Sequence, residues 1–302
     1  DDAVQLSHQM QPGEIHLLEN LRFHKGETEN DPSFSWFLSR HAAIFINDAF
    51  GTAHRSHASN VGIAEHVENT AVGLLIKKEM KYLCETANNP NGPTVLILGG
   101  SKISDKIELI NHMMDKVNTI LIGGAMAFTF LKAQGNNIGA SQIDKDDLIT
   151  ANKILENAKK SHVKIILPQD VVSARKISEE VPWRVSTLDN LKSDEAGFDI
   201  GPETALNFGL ILSTANTIIW NGPLGVCEIP SFSTGTQYIA SSVRDRTENG
   251  AISIIGGGDT ASALEQNGIY KGFSHISTGG GAALQLLSGK VLPAFEALKV
   301  YA

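Results

Sequence analysis

The run Ile252-Ser253-Ile254-Ile255-Gly256-Gly257-Gly258-Asp259-Thr260 decides the fold class of this chain. A short β-branched segment ends in three glycines, and an Asp-Thr pair then opens a segment of helix-compatible residues. This order predicts a strand, a tight turn and the N-terminus of a helix. The free N–H groups and the positive dipole end of such a helix favour a bound phosphate group.

Asp259 is the most informative residue of this run. A carboxylate beside a bound phosphate is repulsive unless a cation lies between them, so Asp259 suggests a phosphate that arrives with Mg²⁺. A simpler interpretation remains open for this one stretch, in which Asp259 is an ordinary helix cap and the glycines form a tight turn.

Length and composition narrow the class of protein. The 302 residues are enough for two domains, and the net charge of −8 argues against a protein that binds nucleic acid or anionic membranes. Two cysteines cannot build a disulfide framework, which favours a reducing, cytoplasmic location. No apolar run approaches the roughly 18 residues of a membrane span, so we expect no membrane association.

Short apolar strands alternate with helical patterns through most of the chain, and glycine follows five of the eight expected strands within two residues. This alternation predicts a parallel sheet covered on both faces, with ligands at the carboxyl ends of its strands. The expected strands are residues 14–18, 43–46, 95–98, 120–122, 164–167, 217–220, 252–255 and 275–277. An amphipathic helix over residues 71–86 and a breaker cluster at 88–93 predict a connector between two domains.

Two lysines follow the glycine pair at 99–100. If a helix begins near Lys102, then Lys102 and Lys106 lie on one face of it. Lysines in a first turn oppose the helix dipole, which makes more sense if an anion binds there. Two solvated lysines on a surface turn are the alternative.

Several other classes of site can be set aside. The chain has no P-loop sequence and no His-Arg-Asp kinase motif. Residues 256–261 match a dinucleotide fingerprint, but no acid follows at the ribose position, so a dehydrogenase is a distant hypothesis. Arg22 and Arg55 follow predicted strands and are suited to bidentate contacts with carboxylate or phosphate, but each taken alone is more typical of a surface ion-pair partner.

Seven motifs together resemble the phosphoglycerate kinase family, in that family's order and over nearly the whole chain. They are Leu18-Glu19-Asn20-Leu21-Arg22-Phe23, Asp48-Ala49-Phe50-Gly51-Thr52-Ala53-His54-Arg55, Leu98-Gly99-Gly100-Ser101-Lys102 with Lys106, Gly123-Gly124-Ala125-Met126-Ala127, Trp220-Asn221-Gly222-Pro223-Leu224-Gly225-Val226, Gly256-Gly257-Gly258-Asp259-Thr260 and Ser277-Thr278-Gly279-Gly280-Gly281.

The resemblance implies reversible phosphoryl transfer from 1,3-bisphosphoglycerate to ADP, giving 3-phosphoglycerate and MgATP, by a cytoplasmic enzyme that is a monomer when full length. It implies that Arg22 and Arg55 bind the phosphoglycerate and that Asp259 serves the nucleotide's Mg²⁺. The implied catalytic residues are Lys106, Lys102, Gly258 and Gly281, and the implied nucleotide-binding residues are Lys106, Gly123, Gly124, Gly201, Asn221, Glu228, Gly257, Gly258, Asp259 and Thr260.

The resemblance also implies an α/β fold of two Rossmann-like parallel-sheet domains joined by a hinge helix. The expected limits are a phosphoglycerate domain at 1–70, a connector at 71–93, a nucleotide domain at 94–286 and a C-terminal segment at 287–302. Motifs that begin the family are absent from this sequence, so we expect an incomplete first domain. A second hypothesis follows from that expectation, namely a nucleotide-binding fragment without turnover.

Overall fold

The computed structural model describes residues 2–143 and 145–300. Its helices are α1 Asp2–Gln9, α2 Lys25–Thr28, α3 Pro32–Ser39, α4 Ile63–His66, α5 Leu74–Met80, α6 Ile107–Met113, α7 Met126–Ala133, α8 Lys145–Lys160, α9 Pro202–Leu212, α10 Thr234–Glu248, α11 Gly258–Gln266, α12 Gly281–Leu287 and α13 Pro293–Ala297. Its strands are β1 Ile44–Asn47, β2 Asn69–Val72, β3 Thr94–Leu98, β4 Thr119–Ile122, β5 Lys164–Ile166, β6 Asp170–Ala174, β7 Trp183–Thr187, β8 Ala196–Ile200, β9 Thr217–Asn221, β10 Ile252–Gly256 and β11 His275–Ile276. No helix among these residues is long and apolar enough to cross a membrane.

The described chain forms two compact units. One runs to Glu85 and resumes at Gly281, and the other is Thr86–Gly280. The C-terminal segment packs in the first unit, where the Ala294 N–H donates to the Ala53 carbonyl at 3.2 Å. The domain limits expected from the sequence stay a prediction.

A six-stranded parallel sheet organises the second unit, in the order β11-β10-β9-β3-β4-β5. Strands β3, β4 and β9 are buried along their whole length, because helices cover an apolar sheet on both faces. Fully buried Trp220 and Phe208 lie in the main core cluster of this unit. The predicted α/β class and the parallel sheet are confirmed.

A three-stranded antiparallel sheet, β7-β6-β8, was not expected from the sequence. Strand β7 reads Trp183-Arg184-Val185-Ser186-Thr187, and most of its side chains are at least partly exposed. A strand of this kind carries no continuous apolar signal, and it is stabilised by pairing with β6.

The prediction of a strand at residues 14–18 is wrong. That segment has no regular secondary structure, and Ile15 and Leu17 are 93% and 90% exposed. Strand β1 pairs instead with β2 at Asn69–Val72, in parallel. Part of the expected helix at 71–86 is therefore strand, and the helix begins at Leu74 and continues as a π-helical segment, Lys81–Thr86.

A buried carboxylate fixes the antiparallel sheet to α10. Asp199 on β8 accepts hydrogen bonds from the backbone N–H groups of Gly235, at 2.7 Å, and Ile200, at 2.9 Å. Burial raises the pKa of Asp199 from its ordinary value of 3.8 to about 7. The Asp199 carboxyl group of the folded protein therefore stays protonated over a pH range in which the same group of the unfolded chain has lost its proton.

We expect Asp199→Asn to remove a loss of stability that the wild-type protein suffers as pH rises. Between pH ~4 and ~7 the folded state binds more protons at Asp199 than the unfolded state, so wild-type stability falls relative to the variant as pH rises, by at most about 1.4 kcal/mol per pH unit. Urea denaturation at several pH values measures this difference, with exposed Asp189→Asn as the control. Parallel stability curves for wild type and Asp199→Asn would contradict the assignment.

Candidate functional site

Four loops of the second unit follow neighbouring strands of the parallel sheet. They come after β3 at Gly99, after β4 at Gly123, after β9 at Gly222 and after β10 at Gly257. Since parallel strands all end at the same edge, these loops converge there, as the sequence predicted.

The loop after β9 is the centre of this group. The N–H of Gly99 donates to the Asn221 carbonyl at 3.0 Å, and the N–H of Gly100 donates to the Pro223 carbonyl at 2.9 Å. On the other side, the N–H of Gly124 donates to the Leu224 carbonyl at 2.9 Å. Residues 221–224 are thus hydrogen-bonded by their backbone to the loops after β3 and β4.

Several glycines are required by this packing whether or not a ligand is present. A Cβ on Gly99 would lie 2.0 Å from the Pro223 oxygen. Gly222 has a φ of +100°, and its Cβ would lie 2.3 Å from the Gly99 oxygen. Gly124 and Gly201 are also crowded, because a Cβ would lie 2.7 Å from the Gly100 backbone and 2.2 Å from the Asp170 carboxyl group respectively. Glycine is therefore needed at these positions because neighbouring atoms come too close to the backbone for any side chain to fit.

Gly258 is different, because a Cβ built on it meets nothing within 4 Å. It opens α11, whose N-cap Gly257 has a φ of +95° and provides no side-chain cap. The N–H groups of Gly258, Asp259 and Thr260 have no acceptor within the helix, because they belong to its first turn. An open and uncapped helix N-terminus is suited to an anion.

Lys106 lies beside this helix N-terminus, where its ammonium donates to the side-chain oxygen of Asn221. Burial lowers the pKa of Lys106, and the carboxylates of Asp105 and Asp259 oppose the shift. The amide nitrogen of Asn221 is buried and has no hydrogen-bond partner among the described residues. A cation and an unsatisfied donor are thus both available to an anionic ligand.

The expected helix start at Lys102 is wrong. A 3₁₀ turn, Ser104–Lys106, precedes α6, which begins at Ile107 with Lys106 in the N-cap position. Lys102 is exposed, and it lies before the turn. The two lysines therefore do not share a face of one helix, and Lys106 alone is held against Asn221.

A cavity of about 580 Å³ extends from this point. Gly124, Glu228 and Asp259 line it among the predicted residues, whereas Gly123 and Gly201 are not part of its wall. Sequence reasoning missed its apolar wall, which includes Phe128, Ile177 and Phe198. An apolar cavity with a few polar groups at its rim is typical of a small-molecule site.

The remaining predicted residues lie in the first unit. Arg22 is exposed in a 3₁₀ turn, Leu21–Phe23, where the Asn20 side chain accepts from the Arg22 N–H at 3.0 Å. Arg55 is also exposed. The pKa of neighbouring His54 is lowered, chiefly because His54 is partly buried and secondly because of the Arg55 charge. Within the described chain, neither arginine forms an ion pair. Gly281 begins α12 of the same unit.

Comparison with known proteins adds to this geometry. The profile of the phosphoglycerate kinase family matches residues 1–290. The phosphoglycerate kinase of Chloroherpeton thalassium is 48% identical over 298 residues, which cover 99% of this chain and 75% of that protein. The phosphoglycerate kinase of Finegoldia magna is 48% identical over 298 residues, covering 99% of this chain and 74% of that protein.

Solved structures agree with the sequence relatives. Phosphoglycerate kinase from Coxiella burnetii superposes with a TM-score of 0.90 at 41% identity, covering 96% of this chain and 74% of that one. The enzyme from Pyrococcus horikoshii superposes with a TM-score of 0.80 at 29% identity, covering 99% of this chain and 76% of that one. On its sequence and on its structure, the chain belongs to the phosphoglycerate kinase family.

Proposed function

We propose that this chain carries out the reaction of its family, a reversible phosphoryl transfer between 1,3-bisphosphoglycerate and ADP that gives 3-phosphoglycerate and ATP. The observation that carries the proposal is the convergence of three features: the open N-terminus of α11, the Lys106–Asn221 pair and the cavity that Asp259 lines. Phosphoryl transfer needs positioning and charge neutralisation more than covalent chemistry, and these features supply both.

In this proposal the nucleotide occupies the second unit. Its phosphates accept from the N–H groups of Gly258, Asp259 and Thr260, and its base lies against the apolar wall near Phe128. Glu228, which is exposed at the cavity, accepts from the ribose hydroxyls. Of the glycines predicted for the nucleotide site, Gly124 would border the nucleotide directly, whereas Gly123, Gly201 and Gly257, which lie outside the cavity wall, would act through the packing of the surrounding loops.

Magnesium fits these residues as a companion of the nucleotide. The described residues contain no group of three His, Cys, Asp or Glu side chains that could hold a metal ion alone. Mg²⁺ usually keeps several waters and binds through one or two carboxylates together with substrate phosphates, and Asp259 provides one such exposed carboxylate. When bound, the ion would neutralise charge on the phosphates.

Lys106 is a cation that interacts with Asp259 in the first turn of α11, and we propose that it follows the transferred phosphoryl group, with Lys102 as a second, solvent-exposed cation. Gly258 and Gly281 would each offer a backbone N–H to the transferred phosphoryl group. Arg22 and Arg55 bind the phosphoglycerate, for which bidentate guanidinium contacts are suited. A cytoplasmic location and a monomeric state remain predictions from the family resemblance.

Nucleotide binding without turnover is the second hypothesis, and similarity over almost the whole chain to enzymes of this activity does not favour it. Calorimetric titration with MgADP and a coupled assay on one mass-verified preparation separate the two. We expect MgADP binding and measurable turnover. Binding with no turnover would support the second hypothesis, and no binding would contradict both.

Gly258→Ala tests where the phosphates lie. Its Cβ meets no protein atom within 4 Å and its backbone is helical, so we expect an unchanged or slightly raised melting temperature. The methyl group would, however, occupy the space beside the free N–H groups, and we expect MgADP affinity to fall about tenfold or more. Thermal unfolding and calorimetric titration measure the two effects.

Gly99→Ala is the matched control, because its Cβ would collide with the Pro223 oxygen. In contrast to Gly258→Ala, we expect this variant to lower the free energy of unfolding by about 1–3 kcal/mol, as overpacking does. Gly258→Ala with wild-type affinity for MgADP would contradict the phosphate position.

Lys106→Ala tests the catalytic role of this partly buried cation. A charge contact that forms only in the transition state is worth about 3 kcal/mol, so we expect turnover to fall roughly a hundredfold. MgADP affinity should fall much less. The coupled assay and calorimetry measure both, and equal losses in affinity and turnover would instead assign Lys106 to ground-state binding.

A further inference from the structure

Thr260 has no free hydroxyl proton in this structure. Its side chain is fully buried, at 0% exposure. The hydroxyl donates to the Gly256 carbonyl at 3.0 Å and accepts from the Gly222 N–H at 2.7 Å. Because a phosphate oxygen requires a donor and a hydroxyl has only one proton, the Thr260 side chain is already committed to protein partners.

Those two partners belong to different loops. Gly256 ends β10, one residue before the N-cap of α11, and Gly222 directly follows β9. The Thr260 hydroxyl therefore bridges the loop at residues 221–224 to the beginning of α11. No other side-chain hydrogen bond joins Gly222 to α11 among the described residues.

Gly222 is also held through its carbonyl group. The indole N–H of Trp220 donates to the Gly222 carbonyl at 2.8 Å, and Trp220 is fully buried. Asn221 directly precedes Gly222, so its carbonyl group shares a peptide bond with the anchored Gly222 N–H, and its side-chain oxygen accepts from the Lys106 ammonium. Because Gly222 is held at both its N–H and its carbonyl group, the backbone of the adjacent Asn221 is restricted too. The Asn221 side chain can then hold the Lys106 ammonium in one position.

We propose that Thr260 is a positioning residue, whose hydroxyl holds the Asn221–Gly222 turn against the N-terminus of α11 so that Asn221 and Lys106 are set for the phosphates. The inference rests on the proposed function for the identity of the ligand. It assigns the Thr260 backbone N–H to the phosphates and its hydroxyl to the protein. In the competing arrangement the hydroxyl itself binds phosphate, so that removing it would leave the Asn221–Gly222 turn of the ligand-free protein unchanged.

Thr260→Val removes the hydroxyl at nearly constant volume and leaves the buried Gly222 N–H without an acceptor. Losing a buried partner of this kind should lower kcat roughly tenfold or more and weaken MgADP binding by a similar factor, because the turn that carries Asn221 is released. Thr260→Ser keeps a hydroxyl in the same place, and we expect it to remain within about twofold of wild type.

Trp220 reports on the turn without any ligand. In a background with the exposed Trp36 and Trp183 replaced by Phe, and with tryptophan excited selectively over tyrosine, the remaining emission comes from Trp220 alone. We expect Thr260→Val, but not Thr260→Ser, to shift this emission in ligand-free protein. Should Thr260→Val fail to fold, amide exchange of Gly222 in the wild-type protein gives the second measurement, and we expect slow exchange before ligand is added.

Three results would overturn the proposal. One is Thr260→Val with wild-type kcat and MgADP affinity. Another is Thr260→Val with unchanged ligand-free Trp220 emission but weakened MgADP binding, which would make the hydroxyl a direct phosphate ligand. The third is rapid Gly222 exchange in wild type. Failure of wild type to bind MgADP would contradict the proposed function alone, since the emission and exchange measurements need no nucleotide.

Discussion

Direct contact between backbones at one edge of the parallel sheet is the constraint on which the second unit depends. Residues 221–224 lie between the loops after β3 and β4 and are joined to both by backbone hydrogen bonds of 2.9–3.0 Å. Side chains at Gly99, Gly222 or Gly124 would collide with main-chain atoms. Because main chain rather than side chains forms these contacts, the loops have little freedom to move apart.

This constraint gives the glycines two separate tasks. Crowded glycines such as Gly99 and Gly222 allow the loops to pack, whereas Gly258 faces open space beside free N–H groups. Polar chemistry is concentrated next to the open position, in Lys106 and Asn221. A rigid frame with its free donors already in place loses little entropy when an anionic ligand binds, which is the general requirement for electrostatic catalysis.

Sequence reasoning succeeded where the physical signal is local. Strands β3, β4, β9 and β10 are predominantly apolar runs closed by glycine or asparagine, and the six-stranded sheet buries them as predicted. It failed at residues 14–18, which have strand-like residues but no strand beside them within the described chain. It also failed at β7, which depends on its pairing with β6. Only three-dimensional contacts reveal that the Thr260 hydroxyl is used by Gly222, because 38 residues separate them.

The central claim is that a nucleotide's phosphates meet the N-terminus of α11 beside Asn221. Amide chemical shifts during a titration with MgADP test it most directly, by transverse-relaxation-optimised NMR of the isotopically labelled chain. The account predicts that the largest shifts occur at the backbone N–H groups of Gly258, Asp259 and Thr260 and at the side-chain amide of Asn221. Saturable binding that leaves these four signals unmoved, with its shifts confined to other parts of the chain, would contradict the account.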